Sequence, residues 1–240
     1  MSPTQTRIKA AKQPCVGAIL LGAGSSTRMR SLDKIVSPLA DRPLISHSTE
    51  TFEQSSFIDS IVLVVASNNV HKVTGLVEEN GWRKVVNVCT GGARRQDSVR
   101  AGLEQLSDYD LIVVHDGARP FVSDKIIAAG VAAATDHGAA VAAIPVSDTI
   151  KLVNSTATVI ETLPRDGLWA IQTPQVFNCD LLQKAHREIH GDVTDDAAMV
   201  EAIGGTVKVF KGSNDNIKVT TPEDWAIAQG ILESRQMRLG

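Results

Sequence analysis

Val16–Leu21 is apolar at every position, a pattern that suits a β-strand covered by protein on both faces. Ile61–Ala66, Lys84–Cys89, Leu111–His115 and Ala139–Pro145 repeat that β-rich character. Between them lie helical stretches at Pro43–Glu53, Val70–Asn80, Arg94–Leu106 and Ser123–His137. The last opens with Ser123 as N-cap and Asp124 in its first turn. Parallel strands need crossover connections, which helices supply. The alternation therefore predicts an α/β fold, Rossmann-like, with a mostly parallel sheet flanked by helices on both faces. Ligands bind such sheets beyond the carboxyl ends of the strands. The chemistry is expected in the loops after Leu21, Cys89, His115 and Pro145.

The alternation breaks between Asp148 and Arg165. Thr149–Val153 and Thr158–Thr162 are two short β-type runs around the turn formers Asn154, Ser155 and Thr156. They read as a hairpin arm over 148–167 that leaves the main body. Two isolated strands are marginal in water, so the arm needs something to pack on, such as a second subunit. Helical character returns at Cys179–His190 and Asp195–Ile203, followed by a strand at Thr206–Lys211 and a closing helix at Pro222–Ser234. The 240 residues suit one domain over 15–240. Residues 1–14 carry cations without a following apolar stretch, so they read as a disordered lead-in and not as a signal peptide.

The formal net charge of −3 gives no global attraction for nucleic acid or an acidic membrane surface. An anionic ligand must be met by local cations. No apolar run approaches the ~20 residues of a membrane span. Cys15, Cys89 and Cys179 are widely separated and form no C-x-x-C pair, as expected of reduced thiols in a cytoplasmic protein.

Gly22-Ala23-Gly24-Ser25-Ser26-Thr27-Arg28-Met29 follows the first strand. Small residues let backbone N–H groups approach an anion closely. Thr27 stands where G-x-G-x-x-G requires glycine, and no P-loop motif is present. Arg28 and Lys34 add two cations to the cradle. The segment from Gly91 to Val99, with Gly92, Arg95 and Ser98, suits close approach to a flat base; it suits a plain Gly turn with exposed arginines equally well. In His115-Asp116-Gly117-Ala118-Arg119-Pro120, Asp116 is positioned to hold Mg²⁺ through oxygen, and Arg119 to clamp a phosphate. His115 reads as a packed imidazole, since no Ser or Cys nucleophile motif accompanies it. Lys218 alternates with Ile217 and Val219 on a strand-like run and faces either solvent or a phosphate. Thr194-Asp195-Asp196 reads either as an N-cap with acids in the first turn or as part of the site.

In this order, these motifs, with Asp148-Thr149-x-Lys151, Gln172-Thr173-Pro174-Gln175 and Asn216–Thr220, resemble the 2-C-methyl-D-erythritol 4-phosphate cytidylyltransferases of the non-mevalonate isoprenoid pathway. The resemblance runs from Val16 to about Ile231. It implies a fold of the nucleotide-diphospho-sugar transferase type and a magnesium-dependent transfer of CMP from CTP to a polyol phosphate. Gly22, Ala23, Gly24, Ser25, Arg28 and Lys34 would hold the triphosphate. Gly92 and Ser98 would recognise cytosine, with Arg95 supporting them. Asp116 would lie near ribose, metal and acceptor, while Arg119, Thr194 and Lys218 face the acceptor and the reacting phosphate. The arm would cross a homodimer interface and bring Thr149 and Arg165 to the partner's acceptor site. Two positions depart from the family pattern: Ser26 stands at a usual glycine, and Asp33-Lys34-Ile35 replaces Pro-Lys-Gln. Asp33 adds negative charge beside the triphosphate site and is expected to weaken nucleotide binding. A ribitol 5-phosphate cytidylyltransferase is the nearest alternative, and a catalytically inactive nucleotide-binding regulator the alternative from another class.

Overall fold

A computed structural model describes residues 13–24 and 33–237. Most of the expected 1–14 lead-in therefore lies outside the described residues, as do Ser25, Ser26 and Arg28 of the glycine-rich loop. Strand β1 (Val16–Gly22) is followed by a short hairpin of β2 (Pro38–Leu39) and β3 (Arg42–Pro43), which leads into helix α1 (Leu44–Gln54). Then β4 (Ser60–Val65), α2 (Val70–Asn80), β5 (Val85–Thr90), α3 (Arg95–Leu103), β6 (Leu111–Asp116) and α4 (Asp124–His137) alternate as expected. The chain continues through β7 (Ala139–Pro145), the hairpin of β8 (Lys151–Val153) and β9 (Val159–Thr162), and β10 (Trp169–Asn178). It closes with α5 (Cys179–Glu188), α6 (Asp196–Ala202), β11 (Lys208–Lys211) and α7 (Pro222–Met237).

Seven strands form one sheet in the order β11-β7-β10-β6-β1-β4-β5. All neighbours are parallel except β10, which runs antiparallel to both β6 and β7. Strand β1 explains why the first run is apolar throughout. Val16, Ala18 and Leu20 enter the core on one face, with α1, α2, α4 and α7. Ile19 and Leu21 enter the other, with α3, α5 and α6.

Strand β10 is the element the sequence pattern concealed. Pro174 removes a ladder donor, and Gln172, Thr173 and Gln175 interrupt the apolar alternation, so the segment reads as a loop. It is nonetheless a ten-residue strand next to the middle of the sheet. Its register with β7 shifts between Ile171 and Gln175, which accommodates Pro174. The three polar side chains are buried and hydrogen-bonded to neighbouring segments. Tertiary partners that lie far off in sequence decide this strand.

The expected arm is present, and every residue of β8 and β9 is exposed. Its turn is set by Asn154, whose Oδ1 accepts from the backbone N–H of Thr156 at 3.1 Å and of Thr158 at 2.9 Å.

Helix α3 lies close against β1 because Gly102 has no side chain: a Cβ there would meet Ile19 Cγ2 at 2.6 Å. Gly102→Ala is expected to destabilise the fold by about 1–3 kcal/mol, the usual effect of overpacking a filled core. Urea unfolding of the two proteins measures the difference.

Candidate active site

Two clefts open at the carboxyl ends of the central strands and share one wall. The first, of about 400 Å³, is bordered by the backbone of Gly22, Ala23 and Gly24 after β1 and by Lys34 beyond the loop. Its far side is the turn after β5, with Gly92, Arg95 and Ser98. The second, of about 300 Å³, is bordered by Arg119, Gln172, Thr173 and Thr194. Arg95, Asp116 and Lys218 line both clefts.

Gly91 can stand against β1 only because it lacks a Cβ, which would lie 2.3 Å from that of Ala23. Its N–H donates to Val65 O at 2.8 Å. The Ser98 hydroxyl accepts from Gly92 N at 3.2 Å and donates to Arg94 O at 3.3 Å. Ser98 thus shapes the turn that borders the cleft, a role that its expected contact with a base did not include.

At the shared wall, Asp116 ends β6 with only 7% of its surface exposed. Lys218 Nζ lies 2.9 Å from its Oδ2, and Arg119 Nε lies 3.7 Å from the same atom. Arg95 Nε lies 3.6 Å from Oδ1, beyond hydrogen-bond length. Burial alone would raise the carboxyl pKa, but Lys218, Arg95 and Arg119 outweigh it and hold the group well below the usual carboxylate range. Asp116 is therefore ionised at any working pH. The Asn216–Thr220 segment that delivers Lys218 belongs to no sheet ladder and is not the expected strand. Val219 is buried, its N–H donates to Ala118 O at 2.8 Å, and its carbonyl accepts from Lys34 Nζ at 3.1 Å. Lys218 lines both clefts, whereas Val219 packs in the core.

His115 is fully buried. Its Nε2 lies 3.1 Å from Arg119 O, an atom that only accepts, so Nε2 carries the proton. Nδ1 then accepts from the Thr173 hydroxyl at 3.1 Å, and that hydroxyl accepts from Asp116 N at 3.0 Å. Burial lowers the imidazole pKa to about 4. His115 is a neutral strut, as expected.

Arg95 is held from behind by Asp196, which the sequence left open between a first-turn acid and a site residue. Asp196 is wholly buried, accepts from Arg95, and accepts at its other oxygen from His186 Nε2 at 3.1 Å. Burial would raise its pKa, yet Arg95 and the His186 hydrogen bond lower it. Asp195 is the N-cap of α6, accepting from Ala198 N at 3.0 Å. Two adjacent aspartates therefore differ in role, and only their burial separates them. Thr194 reaches the second cleft. Thr149 and Arg165 line neither cleft, and Arg165 donates to Ser147 O at 2.9 Å at the base of the arm. No three acidic, histidine or cysteine side chains among the described residues converge as a metal cluster.

A glycine-lined cleft for an anion at the end of β1, meeting a second cationic cleft at a shared charged wall, defines the class: an α/β nucleotidyltransferase. Residues 16–234 match the family model for 2-C-methyl-D-erythritol 4-phosphate cytidylyltransferase, and the chain belongs to that family. It is 44% identical over 218 residues to the enzyme of that name from Dehalococcoides mccartyi strain CBDB1, covering 91% of this chain and 96% of that one. Identity to the enzyme of that name from Alkaliphilus metalliredigens is 44% over 227 residues, or 92% and 94% of the two chains. The fold is similar to that of 4-diphosphocytidyl-2C-methyl-D-erythritol synthase from Anaerococcus prevotii, with a TM-score of 0.82, 28% identity, and coverage of 92% and 100%. For the cytidylyltransferase from Thermus thermophilus these values are 0.73, 30%, 90% and 98%.

The buried imidazole makes stability depend on pH. Between about pH 6.5 and 4 the unfolded chain holds a proton on His115 that the folded chain does not, so acidification through this window favours unfolding. Urea unfolding at pH 6.5 and 4.5 is expected to show a fall in stability that His115→Gln makes shallower, by up to about 1.4 kcal/mol per pH unit.

Proposed function

We infer that the chain transfers CMP from CTP to 2-C-methyl-D-erythritol 4-phosphate, giving 4-diphosphocytidyl-2-C-methyl-D-erythritol and pyrophosphate. The observation that carries the reading is the sharing of Arg95, Asp116 and Lys218 by two clefts. One cleft suits a nucleotide and the other a small phosphate, with their reacting ends brought together at that wall. In the first, the backbone of Gly22, Ala23 and Gly24 with Lys34 receives the triphosphate, joined by Ser25 and Arg28 from the same loop. The Gly92 turn, buttressed by Ser98 and backed by Arg95, receives cytosine. In the second, Arg119 and Thr194 receive the acceptor phosphate.

An oxygen of that phosphate attacks the α-phosphorus in line. The new P–O bond forms as the bond to the bridging oxygen breaks, and pyrophosphate leaves with the electron pair. A phosphate monoester with a second pKa of about 6 is already largely dianionic at neutral pH, so no general base is required. The neutral, fully hydrogen-bonded His115 fits that requirement. Catalysis then rests on orientation and on cations facing the developing charge. Lys218 reaches that charge at the wall and Lys34 from the rim of the first cleft, and Arg28 is assigned to the same charge from its place in the sequence.

Asp116 Oδ1, with no hydrogen bond from Arg95, offers one carboxylate oxygen. That suits Mg²⁺, which takes one or two carboxylates and completes its shell with phosphate oxygens and water. When bound, the ion would supply charge neutralisation at the phosphate oxygens.

The arm exposes Leu152, Val153, Val159 and Ile160, each by 47% or more. Such a patch favours cover by a second copy of the chain in a homodimer, with Thr149 and Arg165 meeting the partner's second cleft. Three free cysteines suit a reducing cytoplasm.

Mass analysis of products from CTP with methylerythritol phosphate, ribitol 5-phosphate or neither tests the substrate assignment. Product from ribitol phosphate alone would replace it, and CTP binding without turnover would make the chain a regulator. Lys218→Ala is expected to lower kcat by roughly 10²-fold, as loss of one charge-stabilising group does elsewhere; pyrophosphate release measures it. Ile160→Asp is expected to shift sedimentation from dimer to monomer.

A further inference from the structure

Asp33 enters as a liability: an acid next to a lysine assigned to a triphosphate. Its surroundings point the other way. The Asp33 carboxylate accepts a hydrogen bond from the side-chain amide of Asn69, a buried residue at the corner between β4 and α2. From the same corner, Lys72 Nζ donates to Val36 O at 3.4 Å. Both ties grip one short segment. Between them Lys34–Val36 forms a single 3-10 turn, closed by Val36 N donating to Asp33 O at 3.2 Å, with Ile35 and Val36 buried beneath it. Lys34 lines the nucleotide cleft, whereas Asp33 does not.

We propose that Asp33 and Asn69 form a positioning pair that fixes the Lys34 turn at the rim of the nucleotide cleft. The acid there assists the binding of a nucleoside triphosphate. Two features support this reading. First, a carboxylate directed at a buried amide sends its charge toward the β4–α2 corner and away from the cleft. Secondly, Lys34 is a long side chain whose useful orientation depends on the backbone that carries it. The tie at Asp33 lies one residue before Lys34 on that backbone.

The inference rests on the assignment of Lys34 to the triphosphate, and the test separates the two. Steady-state KM values for CTP and for the acceptor phosphate are measured in wild type, Lys34→Ala, Asp33→Ala, Asp33→Asn and Asn69→Ala. Asp33→Ala and Asn69→Ala are each expected to raise the KM for CTP about fivefold, the size of one lost hydrogen bond, with the acceptor KM unchanged. Combining them is expected to add nothing further, since both remove the same tie. Asp33→Asn keeps an acceptor for the Asn69 amide and is expected to restore the wild-type value. A structural defect alone would lower the active fraction and leave both KM values where they were. If Asp33→Ala does not fold, Asn69→Ala reads the same bond from its other end. A KM for CTP that falls in both Asp33 variants would mean that charge repulsion dominates, and would overturn the proposal. Equal KM values in Asp33→Asn and Asp33→Ala would also overturn it. If Lys34→Ala leaves the CTP KM unchanged, the Lys34 assignment fails and the proposal with it.

Discussion

A carboxylate at the end of a buried strand would be costly on its own, and the ligand end of this protein is organised around satisfying one. Asp116 lies where β6 runs out of the sheet, and three cations from three separate segments surround it. A single acid faces three cations there, so its charge stays compensated in a site that is little exposed. The requirement is reciprocal: Lys218, Arg95 and Arg119 would repel one another without the acid between them. The ring therefore holds its cations in place before any substrate arrives, which is preorganisation in the electrostatic sense.

Much of the remaining polar structure supports that ring. Asp196 and His186 hold Arg95 from the side of α5 and α6. Asn216 O accepts from Arg119 at 2.7 Å, and the Asn216 side-chain amide donates to Thr173 O at 2.8 Å and to Gln172 Oε1 at 3.2 Å. Thr173 in turn braces His115 and the Asp116 backbone. The polar residues of β10 thus connect the strand that carries the acid to the segment that carries its counter-ion.

The sequence disclosed the parts of the fold that depend on local pattern. Doubly covered strands appear as unbroken apolar runs, and helix ends appear as caps, so β1, β4, β6, β7 and α4 are legible. The exposed arm is legible for the opposite reason, because its turn residues break the alternation. Strand β10 was hidden because its order comes from partners such as Asn216 and Asp195, and no local propensity encodes them. At the site, Asp116, Lys218 and Lys34 were visible through resemblance and spacing. Asp196 stayed undecided, since an aspartate at a helix start looks the same whether it is a solvated first-turn acid or a wholly buried ion. Ser98 was found, but its hold on the Gly92 turn depends on a fold-back that spacing does not disclose. Asp33 was found with its influence judged from charge alone, without the amide that receives it.

The wide spacing of the ring along the chain also bears on biosynthesis. Asp116 and its two arginines are made about a hundred residues before Lys218, the counter-ion nearest to it. Through that interval the carboxyl end of β6 lacks its closest partner, and for the first part of it β10 has yet to be made. The apolar faces are completed late as well, one by α5 and α6 and the other by α7. Arg95 and Arg119 are the acid's provisional counter-charges, and Lys218 completes the ring when the late segment docks.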